Sequence, residues 1–564
     1  MTLFQWFILF LIIQVVHFLG TWRLYLRAGR KPLEALIPVY NAIVLMKIIN
    51  RPKWWVILLF IPIINLIMFP VIWVETIRSF GKNSNLDTFL VIVTLGLYMY
   101  YINYTQDVDH YPNRDLKPRT ATGEWVSSIL FAVVAATFVH TYFIQPYVIP
   151  TSSLEKTLLV GDFLFVSKFH YGARIPMTTV AAPMVHDTLP IVKTKSYLNK
   201  PQLPYLRLPG FQKIKRNDIV VFSWPTDTVR YFRDKSNIHI DKPIDKKSNY
   251  VKRCVGIPGD TLSIKNGFVH INGKQTELPD RARTQFYHTV TTKTPIDARF
   301  VQKYNSTEFW RAYKIESRYW DDPKVQNYLN SNGVQAYLQE ESRDSTSVDV
   351  VGFVPSHAMN RLKMSPLVNK VNLNITLEVA NAMRKDKDVI SVQKFDYAPT
   401  ADVFPHSPAL NWSIDNYGPV YIPEEGKTIS LTVENLPLYR MIIEEYEKNS
   451  LEVKGNQILI NGEAAKSYTF QQDYFWMMGD NRHNSEDARY WGYVPEDHIV
   501  GKPVFIWMSI DGINDGIKNW KVRWDRVFTT VGGSGKPVSY FIYFVIAIVI
   551  WIAYGQFQKR RRKA

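Results

Sequence analysis

The chain has 564 residues, is 46% hydrophobic and 14% aromatic, and carries a formal charge of +17. A single core rarely grows past roughly 250–300 residues, so this length requires two or more folded units. The basic excess flanks apolar runs instead of joining aromatic or groove-reading motifs, which argues against a nucleic-acid partner, and the lone cysteine, Cys254, excludes an intramolecular disulfide and a cysteine-based zinc site.

Five stretches, 3–20, 54–75, 88–104, 124–145 and 538–556, are apolar enough to cross a bilayer, which takes roughly 20 helical residues for about 30 Å of hydrocarbon. The first has no basic residue ahead of its apolar core and is followed by basic residues, so it reads as a retained span and not a cleaved signal. Between it and the second span lie Arg23, Arg27, Arg30, Lys31, Lys47, Arg51 and Lys53 against Glu34 alone, which predicts a cytoplasmic loop. Alternation then puts 76–87 outside, 105–123 inside and 146–537 outside. The last span returns Lys559, Arg560, Arg561, Arg562 and Lys563 to the cytoplasm. Within the basic loop, 35–49 is apolar but short and interrupted by Pro38, as an interfacial or re-entrant segment would be.

The expected fold is therefore a multi-pass membrane protein, with α-helical transmembrane segments and a mainly-β extracytoplasmic domain holding a large inserted subdomain. Three spans occupy 1–123 and a fourth covers 124–145. The outer domain is formed by 146–279 and 453–530, interrupted by a polar insertion over 280–452 that carries no recognisable motif, and 538–556 closes the chain in the membrane. IVVFSWP (219–225) and YVKRCVGIPGD (250–260) are β-branched or aromatic runs stopped by Pro and Gly, which predicts strands. IKNGFVHINGK (264–274) and VKGNQILINGE (453–463) resemble each other, either as an internal duplication or because hairpins converge on such patterns.

Ser153 lies in QPYVIPTSSLEKTLLVGDFLFVSK (145–168), directly after the fourth span. Taken alone it reads as a turn residue, but its place at the membrane surface means that anything it attacked would be presented at the bilayer. A serine hydroxyl needs a neighbouring base. Lys252 is surrounded by Val251, Cys254, Val255 and Ile257, an apolar setting that lowers an ammonium pKa, and strand alternation sends Arg253 to the opposite face. The plain alternative is a snorkelling surface lysine. A third segment, YFWMMGDNRHNSEDARYWGYVP (474–495), is polar but bracketed by apolar strands. It is not a calcium loop, since Arg482 falls where the third ligand belongs and no glycine holds the sixth position. It reads as a tight polar loop with Ser485 offering a hydroxyl and Asp487 paired to Arg489. Two competing assignments are His483 as the base and Cys254 as the nucleophile. No metal or other cofactor is called for.

Together these segments resemble the bacterial type I signal peptidases, the leader peptidases that use a serine/lysine dyad. IPTSSLEKTLLVGD matches the family's nucleophile box, KRNDIVVF (215–222) its strand leading to the base, Tyr250 to Asp260 its base box, and Gly479 to Gly492 its final box. The resemblance spans about 124–279 and 453–530. It implies Ser153 as nucleophile, Lys252 as general base, Thr151 and the Ser153 N–H as oxyanion donors, and Ser485 orienting Lys252 with Asp487 and Arg489 in support. It further implies preprotein substrates whose signal peptides end in an A-x-A-like site, bound as an added strand near Ile149 and Pro150, and residence in the bacterial cytoplasmic membrane. Ser152, Leu154, Lys156 and His483 depart from the family's usual residues without removing a group the chemistry needs. The competing reading is a catalytically silent membrane scaffold on the same fold. The oligomeric state and the role of the insertion are left open.

Overall fold

The structure is a computed structural model describing residues 1–118, 120–229, 238–306, 308–331 and 338–561. Arg562 and Lys563 of the basic carboxy-terminal cluster lie outside the described residues. Among the described residues three single helices are long and apolar enough to cross a membrane: α1 (Leu3–Arg27), then α6 (Ala121–Tyr142) and α7 (Phe541–Arg561). Thr2 begins α1 with a capping box, accepting the Gln5 N–H while the Gln5 side chain caps back.

Two of the expected spans are not straight helices. In 54–75 a short helix over Trp55–Leu58 stops, and α3 (Ile64–Ser79) starts only after Pro62 and a left-handed Ile63 with φ 69°. In 88–104, α4 (Asn85–Val93) and α5 (Tyr98–Thr105) meet at a 118° bend where Leu95 and Gly96 have φ 52° and 86°. The 35–49 segment forms another such turn at Val39, with φ 68°, and then α2 (Tyr40–Ile48). Ile37-Pro38-Val39 and Ile61-Pro62-Ile63 thus break the chain alike, each with a proline followed by a left-handed residue. The short helices bury Val44, Met46, Ile49, Ile72, Ile77 and Phe80 against Leu24 and Tyr25 of α1, so 35–49 is part of a compact helical core. Arg51 and Arg114 both pair with the buried Glu75, tying α3 to its flanking loops.

Phe143 alone separates α6 from β1 (Ile144–Val148). β2 (Asp162–Ser167), β3 (Ile219–Ser223) and β4 (Asn249–Gly256) follow, the last two being the strands expected from 219–225 and 250–260. With β11 (Tyr474–Met478) and β12 (Ile499–Asp511) they form an antiparallel sheet in the order β1-β2-β12-β3-β4-β11, extended by the short Val494–Pro495. Among the described residues β1 pairs with β2 alone, which leaves its other edge open.

A second sheet, of six strands, is inserted between β4 and β11. It comprises β5 (Gln285–Thr292), β6 (Phe309–Glu316), β7 (Leu338–Arg343), β8 (Ser347–Gly352), β9 (Ser365–Thr376) and β10 (Val389–Lys394), in the order β7-β8-β6-β9-β5-β10. It has apolar clusters of its own. The rest of the expected insertion belongs elsewhere: Val403, Phe404, Ile414, Tyr417, Ile422, Leu436 and Ile443 pack into the main core beside Val220 and Phe222. The two look-alike segments are hairpins of the same layout, Thr261–Lys265 with Phe268–Ile271 and Leu451–Lys454 with Gln457–Ile460, each followed by a two-residue strand.

Gly161 closes the Ser153 segment onto the sheet. Its N–H donates to Ile149 O and its carbonyl accepts from Ile510, both at 2.9 Å, with φ 90°. A methyl group there would stand 1.9 Å from the Ile510 carbonyl oxygen. The left-handed conformation alone costs an L-residue about 1–2 kcal/mol, and the backbone contact adds to it. Gly161→Ala should therefore lower the denaturation midpoint of the purified protein by several degrees; an unchanged midpoint would show that the junction yields freely.

Candidate active site

Ser153 sits in a 3-10 turn, Ser152–Leu154, that leaves the end of β1. Buried Leu154 and Leu158 pin this turn against Ile149, Leu164 and Val166. Lys252 lies on β4 opposite Val220 of β3, with 4% of its surface exposed. Ser485 comes from the loop after β11. The loop and the serine turn meet at Gly479: a methyl group there would stand 2.2 Å from Ser485 Oγ and 2.5 Å from the Ser153 carbonyl oxygen. Only glycine lets both approach. The Asn481 N–H donates to that Ser153 carbonyl at 3.0 Å.

One carboxylate ties three segments together. Asp480 accepts Arg253 Nε and Nη2 at 2.7 and 2.6 Å, and the Thr157 hydroxyl at 2.6 Å. The expected Asp487–Arg489 pair is present and bidentate, with both contacts at 2.8 Å, and Asp487 also accepts the Gly479 N–H at 3.0 Å. Asp480 and Asp487 are thus both committed to guanidinium groups. No role for Asp480 follows from reading the sequence, though a signal was there: an arginine turned inward by strand alternation needs a buried counterion.

Burial pushes the Lys252 pKa down to about 8, against the opposing pull of Asp487 and Glu486. Burial alone would raise Asp487, but Arg489 and its hydrogen bonds hold it below the usual carboxylate range. Glu486 is pushed up by burial, with Lys252 opposing. The Ser485 hydroxyl is buried and makes no hydrogen bond, and none joins Ser153 Oγ to Lys252 Nζ in this conformation, among the described residues. Catalytic hydrogen bonds often tighten only once substrate is bound.

The competing assignments fare differently. His483 is buried, its Nδ1 accepts the Tyr287 N–H at 3.0 Å, and its Nε2 lies 2.9 Å from Asp415 Oδ1. Nδ1 therefore carries no proton and Nε2 donates to Asp415, which leaves no nitrogen free to serve Ser485. Cys254 is fully buried in the main core, and burial pushes its thiol well above the ordinary range. Ile149 is less available to a substrate than expected. Its side chain is buried, its N–H donates to Asp162 O and its carbonyl accepts from Gly161, both at 2.9 Å. The Pro150 carbonyl accepts from Asn514 at 3.2 Å. Unpaired backbone is found one step earlier, along β1.

A buried lysine of lowered pKa, a serine on a tight turn and a second serine hydroxyl, all on one β-domain behind a membrane-length helix, define a candidate hydrolase site at a bilayer. The family described as signal peptidase, peptidase S26, matches residues 122–359 and 425–508, more than half of the chain, and the protein belongs to it as a bacterial type I signal peptidase. Signal peptidase I of Buchnera aphidicola subsp. Acyrthosiphon pisum is 25% identical over 383 residues, covering 68% of this chain and 74% of the relative. Signal peptidase I of Helicobacter pylori strain 26695 is 22% identical over 424 residues, covering 74% and 93%. A family of unknown function, DUF5684, matches 33–112, the region of short, broken helices.

If Lys252 acts as a base it must be neutral, so kcat/KM on a preprotein should rise with pH through about 8. The negative charge of Glu486 raises the Lys252 pKa; removing it should lower that pKa and move the rising limb of the profile to lower pH in Glu486→Gln. A limb that stays in place or moves upward would remove Glu486 from this role.

Proposed function

We propose that this signal peptidase cuts exported preproteins after a small residue at an A-x-A-like site, using Ser153 as nucleophile and Lys252 as general base. The observation that carries this reading is the meeting of the Ser153 turn and the Ser485 hydroxyl at Gly479, beside a strand holding a buried lysine of lowered pKa. Neutral Lys252 takes the Ser153 proton as Oγ attacks the scissile carbonyl carbon. The Ser153 N–H and the Thr151 hydroxyl receive the oxyanion. Protonated Lys252 then supplies its proton to the departing amine, and a water deprotonated by Lys252 releases the acyl group from Ser153. Ser485, oriented by the Asp487–Arg489 pair, holds the lysine.

In this reading the substrate adds as a strand to the open edge of β1, where main-chain groups give affinity and small pockets select the residues before the cut. Ile149 and Pro150 border that edge. The protein resides in the bacterial cytoplasmic membrane with its β-domain on the extracytoplasmic side. The basic flanks of α1 and α7 support this orientation. So does Trp6, whose Nε1 donates to Gln202 O at 3.0 Å and brings the amino-terminal end of α1 against the β-domain.

Ser153→Ala and Lys252→Ala, purified in detergent, should fold and fail to cleave an A-x-A preprotein. Thr151→Val should retain the fold and lose about 10²–10³-fold in kcat, the usual cost of one oxyanion donor. Wild-type turnover in Lys252→Ala would refute the base, and normal turnover in Thr151→Val would refute the donor.

A further inference from the structure

Glu308 links the six-stranded insertion to the serine turn. Glu308, just ahead of β6, accepts three asparagine amides: Asn374 of β9 at 2.6 Å, Asn481 at 3.0 Å and Asn484 at 2.9 Å. Each amide spends its second N–H nearby. Asn374 donates to Asn481 Oδ1 at 2.7 Å, Asn481 to the Ser152 carbonyl at 3.1 Å, and Asn484 to Ser152 Oγ at 3.1 Å. All six N–H groups are therefore used. A carboxylate only accepts, so Glu308 decides which way each amide faces. The Asn481 main chain meanwhile donates to Ser153 O at 3.0 Å.

Two further contacts run along the same seam. Gln285 of β5 exchanges main-chain hydrogen bonds with the final loop, its N–H donating to Asp480 O and its carbonyl accepting from Arg482, both at 2.9 Å. Lys156 Nζ, beyond the serine turn, donates to Asn305 O at 2.9 Å. These contacts dock the insertion, but among the described residues Glu308 alone connects it to both asparagines that grip Ser152.

We infer that Glu308 is a positioning residue for peptide cleavage: through Asn481 and Asn484 it holds the Ser152–Ser153 turn at the distance from Lys252 and Ser485 that the reaction requires. The inference rests on Ser153 being the nucleophile. It makes the insertion part of the machinery for the chemical step and not a separate appendage. Glutamine at 308 has the size of glutamate but presents an amide donor to a site furnished with donors.

The test compares full-length Glu308→Gln, Asn484→Ala and the double variant with wild type and Ser153→Ala, measuring kcat and KM on one preprotein and the unfolding midpoint of each. Glu308→Gln should lose about 10²-fold in kcat, the scale expected when a reacting group is displaced by around 1 Å, with KM and midpoint near wild type. The double variant should be no slower than the worse single one, because both act through the same hydrogen bonds. Wild-type kcat in Glu308→Gln, or losses that multiply in the double variant, would overturn the role. If Glu308→Gln unfolds, the comparison passes to Glu308→Asp, which keeps the charge and should recover part of the rate; a stable Glu308→Asp with no recovery would equally count against it. A dead Ser153→Ala beside a fully active Glu308→Gln would discard this role alone, whereas an active Ser153→Ala would remove the nucleophile on which it rests.

Discussion

The buried ion pair between Arg253 and Asp480 sets the geometry on which the site depends. Alternation along β4 gives adjacent residues opposite faces, so the inward turn of Arg253 is what points Lys252 the other way. Taking two charges out of water is expensive and is compensated only when their hydrogen-bonding capacity is filled. Here the Asn217 carbonyl takes Arg253 Nη1 at 2.7 Å, and the Thr157 hydroxyl completes Asp480. Losing either partner would strand a buried charge, at a cost of about 3–5 kcal/mol. The pair therefore anchors the strand of Lys252, the serine segment and the final loop to a single point.

The chemistry around that point is governed by burial. Lys252 loses water and, among the described residues, gains no direct ion pair, which favours its neutral form, while Asp487 and Glu486 keep the effect moderate. Asp487 loses water too but is held charged by Arg489. His483 shows that burial alone does not make a base. Both of its nitrogens are engaged between Tyr287 and Asp415, so it acts as a strut between the insertion and the final loop.

Much of this could be read from the residues themselves. β3 and β4 are β-branched runs ended by Pro and Gly, and the Asp487–Arg489 pair is local enough to see in one segment. The membrane region was harder, because averaged hydropathy is blind to chain direction: 54–75 is apolar throughout yet its helix breaks before Ile64, and 88–104 bends by 118° near Leu95. The insertion was legible as a change of composition but not in its limits, since Val403 to Ile443 look polar in sequence and return to the main core only through long-range packing. The pairing of the Ile149 backbone with Gly161 and Asp162 is not visible in sequence because these partners lie across a loop. The grip of Glu308 on Asn481 and Asn484 joins positions far apart in the chain, and nothing local to either end announces it.

That separation has a consequence for biogenesis. Thr157 and Asp480 are 323 residues apart, and at about 5–20 residues per second a growing chain takes tens of seconds to span such a distance. Until then the arginine of β4 has no counterion, the serine turn has no clasp, and the loop bearing Ser485 does not exist. The parts of the candidate site therefore come together only once the chain has been made as far as the loop that carries Asp480 and Ser485.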